Sequence, residues 1–127
     1  MNSNYNTKTI NFLENLSNVY DIPKNSVDFE YKIFRKCIQL DHSGNVTFLV
    51  LNNVIDVNDK KLKKFLKVNP FIYAFNRSLE SASLIIMYVK LNLHDKNIAL
   101  SLLNKKDLSL SHDLFLNGIE KSSNLIY

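Results

Sequence analysis

Lys36 is a residue whose type and position in this sequence could do chemistry. It lies in "RKCIQLDHSGNVTFLVLNN" (35–53), which we interpret as a strand, a tight turn and a second strand. Phe34, Ile38 and Leu40 share its alternation, so a regular strand would direct this lysine toward the core. Lysine is rarely buried, so Lys36 either reaches solvent at the strand end or is held in a partly apolar cleft. In a cleft its charge could hold a phosphate or an ester carbonyl.

A second candidate is the lysine-rich stretch "DVNDKKLKKFLKV" (56–68), which is typical of an amphipathic helix. Asp56 or Asn58 can cap it, and the lysines gather toward its C-terminal end, where they complement the helix dipole. These lysines either form a solvated face or contact RNA phosphates as point charges, without sequence readout. They are Lys60, Lys61, Lys63, Lys64 and Lys67.

Composition allows a polyanionic partner but does not demand one. The chain has 127 residues, 46% of them hydrophobic, and a net charge of +4, which fits a single domain over residues 1–127. Only Arg35 and Arg77 among the 16 basic residues are arginine. Because bidentate recognition of bases favours arginine, we expect phosphate contacts to RNA and no readout of DNA sequence.

Several other chemistries are disfavoured by the sequence. With only two glycines there is no phosphate-binding loop, the three histidines lack metal-ligand spacing, and Cys37 is interpreted as a packing residue. We therefore expect neither a metal nor a cofactor. The N-terminus has no signal-peptide pattern, and the longest apolar run, 84–89, is too short to span a bilayer. These features predict a soluble, cytoplasmic protein with no membrane partner.

The order of the elements predicts an α+β fold, in which a mixed or antiparallel sheet is flanked by helices. Apolar spacing predicts a helix at 7–20, and the hairpin at 35–53 is followed by the helix at 56–68. No internal repeat is visible. The remaining predictions are strands at 71–75 and 107–111, a strand or buried helix at 84–93, and a helix or ordered loop at 95–104.

The central part of the chain resembles the YbaK/ProX superfamily of aminoacyl-tRNA deacylases, which is related to the editing domain of prolyl-tRNA synthetases. In that family a lysine opens a strand, and a charged turn with glycine, an apolar strand and a lysine-rich helix follow. Here these features are Lys36, "DHSGN", "VTFLVL" and "DKKLKKFL". Weaker similarities extend the resemblance over about residues 30–115, including "FIYAFNRSLESAS" and the segment 99–115.

The resemblance implies that Lys36 helps to hold the aminoacyl ester end of tRNA and that Asn104 closes the substrate loop. The family's Gly-x-x-Ser/Thr-Pro signature should fall near 95–99, where this chain has "DKNIA". We therefore expect a diverged, ribosome- or tRNA-associated RNA-binding protein whose trans-editing activity is weakened or lost, a pseudoenzyme. The alternative is a non-enzymatic interaction or inhibitor protein that docks through its apolar C-terminal segment, 114–127.

Overall fold

The computed structural model describes residues 4–105, which fold into seven α-helices joined by short turns. Residues of all seven helices contribute to one hydrophobic core. Within residues 4–105 there is no β-strand, so the predicted α+β fold with a sheet is wrong and the described chain is all-helical. The helices are α1 (Thr7–Tyr20), α2 (Phe29–Gln39), α3 (Ser43–Leu51), α4 (Lys60–Leu66), α5 (Pro70–Asn76), α6 (Ser81–Lys90) and α7 (Leu93–Lys105).

The predicted hairpin at 35–53 is the end of α2, a turn and the whole of α3. Five consecutive residues of α3, 46–50, are buried, because α3 lies between α2 and α6. Phe48 also meets Phe12 of α1, with 4.1 Å between ring centroids. A helix that is covered on all sides is apolar all round. Such a run has no helical period, and the sequence could not distinguish it from a strand that is buried on both faces.

The turn after α2 is a helix C-terminus and not a hairpin loop. Asp41 adopts a left-handed conformation with φ of 56°, and its N–H donates to the carbonyl of Ile38 at 3.1 Å. The N–H of His42 donates to the carbonyl of Cys37 at 2.8 Å. These bonds satisfy carbonyls that the end of α2 would leave unpaired, as in a Schellman motif.

Gly44 supplies a test that separates the helix from the hairpin. It is the second residue of α3 and has no positive φ, whereas the predicted hairpin turn had this glycine available for a positive φ. Replacement of Gly44 by alanine is expected to raise the free energy of unfolding by about 0.5 kcal/mol, because alanine loses less backbone entropy in a helix. Urea denaturation measures the change, and a loss of stability would contradict the helical assignment.

The other short strand predicted before residue 105 is also helical. Residues 71–75 lie in α5, which begins at Pro70 and is capped by Asn69, whose side-chain oxygen accepts the N–H of Phe71 at 2.7 Å. Proline is well tolerated at the first position of a helix, where its missing N–H costs no hydrogen bond. Of the two alternatives at 84–93, the buried helix is confirmed as α6.

The predictions made from helical spacing of apolar residues agree better with the structure. The helix at 7–20 is confirmed as α1, and the side chain of Asn6 caps it. The lysine-rich helix is confirmed but shorter than predicted, since Asp59 caps α4 and Asp56 and Asn58 precede it. The segment 95–104 lies within α7. The predicted strand at 107–111 lies outside the described residues, as does the docking segment 114–127.

Helices α2–α4 and α5–α7 form two successive units, which share one type of turn at positions 37 residues apart, Asp41 and Ser78. Both residues have left-handed backbones, with φ of 56° and 59°, and lie in equivalent hydrogen-bonded turns. Burial repeats as well, since 46–50 and 83–87 are buried throughout. Across the units almost no residue types are identical, which explains why the sequence shows no repeat. The two units thus share a turn geometry and a buried run but almost no residue types.

The two units meet where α3 packs against α6. Small polar residues allow the close approach, and the hydroxyls of Thr47 and Ser83 are 2.7 Å apart. The Ser83 hydroxyl donates to the carbonyl of Ser43, and the Ser43 hydroxyl donates to the carboxylate of Glu80. Each buried hydroxyl has a partner, as burial of polar groups requires. The contact holds the units in a fixed relation.

Candidate functional site

Helices α2 and α4 pack against each other, and the surface of this pair of helices carries two groups of cations. The cations of α2 are partly exposed, and those of α4 and its C-terminal cap are exposed. None of them forms a salt bridge with another residue between 4 and 105. We call this surface the basic face. It consists of Lys32, Arg35 and Lys36 from α2 and of Lys60, Lys61, Lys64 and Lys67, which we call the α4 lysines.

Two aromatic side chains lie among these cations. The guanidinium of Arg35 stands over the ring of Phe65, 4.4 Å from its centroid. The rings of Tyr31 and Phe65 are 5.7 Å apart and tilted by 46°. Lys61 and Lys64 line a cleft of about 340 Å³ together with both rings and the carboxylate of Asp28. The basic face therefore combines positive charge with partly exposed aromatic surface.

This combination was not predicted, because the chain from residue 35 onward was interpreted as a strand. In a helix, residues four apart lie on the same side, so Tyr31 and Arg35 of α2 both reach α4. Their spacing was the signal that could have found the pair, but the partner Phe65 is distant in the chain. Only packing of α2 on α4 brings the three side chains together.

Lys63 does not share the environment of the α4 lysines. Its ammonium donates to the carboxylate of Asp95 in α7 at 2.6 Å, and the Asp95 side chain is 9% exposed. A carboxylate in such a position needs a partner, because an unpaired buried charge is strongly unfavourable. Lys63 thus links α4 to α7 and is engaged inside the protein. Of the five lysines proposed from the sequence, four remain available to a ligand.

Four carboxylates mark one edge of the basic face. They line a cleft of about 380 Å³ that also includes Tyr31 and Lys61. An anionic ligand is repelled there, so the carboxylates limit its path over the surface. The residues are Asp28, Glu30, Asp56 and Asp59.

Asp59 remains charged at this edge. Burial raises the pKa of its carboxyl group, but hydrogen bonds from the Tyr31 hydroxyl and the N–H of Lys61 outweigh that effect and hold the pKa below its usual value. Burial and the same bond to Asp59 raise the pKa of Tyr31. The phenol therefore stays protonated and acts as a hydrogen-bond donor.

Lys36 lies on α2, so the predicted placement at the opening of a strand is wrong. It lines a cleft of about 220 Å³ between α2 and the end of α1, which we call the Lys36 cleft. Asn104 is exposed on α7 and does not contribute to that cleft. The two residues assigned to an aminoacyl site are thus not joined in it. The lining residues are Tyr20, Ile22, Lys32, Arg35, Lys36 and Gln39.

Tyr20 lines the Lys36 cleft and is held in place by several side-chain contacts. Its hydroxyl is 2.7 Å from Nδ1 of His42 and 3.4 Å from Sγ of Cys37, and it accepts the side-chain amide of Asn45 at 3.1 Å. Burial, together with the neighbouring Cys37, raises the pKa of Tyr20. These contacts hold the ring in one orientation at the cleft wall.

Cys37 is confirmed as a packing residue. Its side chain is fully buried in the core, and burial raises the pKa of the thiol to about 12. The reactive form of cysteine is the thiolate, so this thiol is not a nucleophile near neutral pH. Over residues 4–105, no group of three or more metal-ligating side chains is arranged to hold a metal ion.

Comparison with known proteins identifies no relative. No protein-family model, no curated protein and no solved structure matches this chain. None of these comparisons bears on the resemblance to the YbaK/ProX superfamily. Within the described part of the chain, no helix has the length and hydropathy needed to cross a membrane.

Proposed function

We propose that this protein binds RNA through the basic face. The observation that carries the proposal is that α2 and α4 present cations together on one surface, with no salt bridge from any of them to the rest of residues 4–105. Cations that already had carboxylate partners would gain little from a phosphate. Cations that lack salt bridges attract a polyanion and release its condensed counterions on binding.

The composition of the basic face favours contacts with the phosphate backbone over base recognition. Six of its seven cations are lysines, which act as point charges. Arg35, its single arginine, already stacks over Phe65. We therefore expect binding that depends strongly on salt and weakly on sequence.

The aromatic side chains favour single-stranded segments of the RNA. Unpaired bases in loops stack on aromatic rings, whereas the bases of a duplex are not accessible in that way. Tyr31 and Phe65 are both partly exposed between the cations. They offer a stacking surface that a lipid headgroup or an acidic peptide does not require.

The proposal is one of binding and does not include aminoacyl ester hydrolysis. The Cys37 thiol beside the Lys36 cleft is buried and protonated, and Asn104 lies on a different helix from Lys36. Ester hydrolysis requires groups that are positioned around the reacting carbonyl. The contacts of the described residues support a surface for phosphates better than such a site.

Fluorescence anisotropy with a labelled single-stranded RNA tests the proposal. If most of the basic face is engaged, a plot of log K against log salt should have a slope of about −4, since each phosphate contact on a single strand contributes about −0.7. A double-stranded RNA of the same length is expected to bind more weakly. A slope near zero, or equal affinity for polyglutamate, would contradict the assignment to RNA.

A further inference from the structure

We propose that the Lys36 cleft binds the terminal phosphate monoester of an RNA strand. This inference rests on the proposed function, because the cleft adjoins the basic face and shares three of its cations. It adds that the protein recognises the end of a strand and not only its backbone.

The cleft concentrates positive charge on one side. Lys32, Arg35 and Lys36 follow at spacings of three and four on α2, so they project from the same side of the helix. None of the described residues that line the cleft has a carboxylate. Three cations and no carboxylate therefore line the cleft.

The charge of the ligand distinguishes a terminal from an internal phosphate. A monoester carries about −1.5 to −2 charges at neutral pH, because its second pKa is about 6, whereas an internal diester carries one. Three cations around one group suit the more highly charged form. Additional oxygen acceptors on the monoester also allow more charge-assisted hydrogen bonds.

The opposite wall of the cleft is rigid and partly apolar. Tyr20 is held by His42, Asn45 and Cys37, and Ile22 beside it is partly exposed. The volume of about 220 Å³ lies below the range of sites for whole drug-sized ligands. It suits a small terminal group whose strand continues outside the cleft.

Arg35 connects the cleft with the rest of the basic face. Its side chain lines the cleft while its guanidinium stands over the ring of Phe65 on α4. Stacking uses the face of the guanidinium and leaves its N–H edge free to donate hydrogen bonds. An RNA strand bound along the α4 lysines can thus reach the cleft with its terminal phosphate, and Arg35 can donate hydrogen bonds to it there.

Four versions of one RNA test this inference, with a phosphate or a hydroxyl at the 5′ end or at the 3′ end. We expect about tenfold tighter binding of a strand with a terminal phosphate, with the preferred end set by strand direction. The preference should increase as the pH rises through about 6, where the monoester loses its second proton. Equal affinity for all four strands would overturn the inference and leave the proposed function intact.

Two matched variants test whether the preference for a terminal phosphate arises at the Lys36 cleft. Lys36→Ala is expected to weaken binding of every strand and to bring the ratio between phosphorylated and unphosphorylated strands close to one. Lys61→Ala also removes one lysine of the basic face but should preserve the ratio, because Lys61 does not line the cleft. A preserved ratio in Lys36→Ala would contradict the cleft as the site. If the wild-type protein bound none of the four RNA strands, the proposed function itself would be rejected.

Discussion

Charge reversal of the α4 lysines is expected to abolish RNA binding. The fourfold variant carries glutamate at each of these positions, so attraction to phosphates on this side becomes repulsion. We expect the affinity to fall more than about a hundredfold, and the remaining salt dependence to be weak. Lys63 is kept, because its bond to Asp95 stabilises the contact between α4 and α7. Anisotropy with the same labelled RNA measures the loss, and circular dichroism confirms that the variant is folded.

The matched control reverses four cations that do not belong to the basic face. It changes the net charge by the same amount, so it loses the same long-range attraction but no direct contact. We expect the control to bind within about tenfold of the wild type. An equal loss in both variants would show that net charge, and not the basic face, determines binding. The control positions are Lys8, Lys24, Lys96 and Lys105.

Among the substitutions proposed to test the fold, replacement of Phe71 by alanine is expected to cause the largest loss of stability. Phe71 of α5 is 0% exposed, and removal of a buried phenylalanine ring costs about 3–5 kcal/mol through lost burial and the cavity that remains. That is a large part of the stability of a small domain, which is typically about 5–15 kcal/mol. Urea denaturation measures the change in the free energy of unfolding.

Phe75→Ala is the control for this effect on the same helix. Phe75 stacks on Phe71 at 6.1 Å but is only partly buried. We therefore expect about 1–2 kcal/mol of destabilisation, since less apolar surface is lost. In the strand predicted at 71–75 the two rings would lie on the same face and be buried alike. Equal losses in the two variants would thus support the strand and contradict α5.

Local patterns in the sequence were sufficient for α1 and α4, although the end of α2, whose buried residues also recur with the helical period, was predicted as a strand. Helix α1 has bounds equal to the predicted 7–20, because its apolar residues recur with the helical period. Helix α4 was also predicted, from its apolar stripe and its lysines. In both cases the face that packs and the face that meets water differ enough to reveal the period.

Local patterns predicted the wrong secondary structure where neighbouring helices surround an element. Helices α3 and α5 were predicted as strands, because their apolar residues lie on every side and carry no period. Residue preferences then favoured strand, since valine, phenylalanine and tyrosine are common there. Contacts with neighbours that are distant in the chain, such as the packing of α6 against α3, stabilise the helical conformation instead. Tertiary packing overrides a weak local preference.

The charge of the candidate site follows from residue types alone, whereas its shape follows from tertiary packing. Positive charge at Lys36 and in the lysine-rich helix is a property of residue types and is visible without a fold. Which cations share a surface depends on how α2 meets α4, and this packing places Arg35 over Phe65. It also depends on α7, where Asp95 engages Lys63. These contacts join residues about thirty positions apart, and local preferences along the chain act over a few residues only.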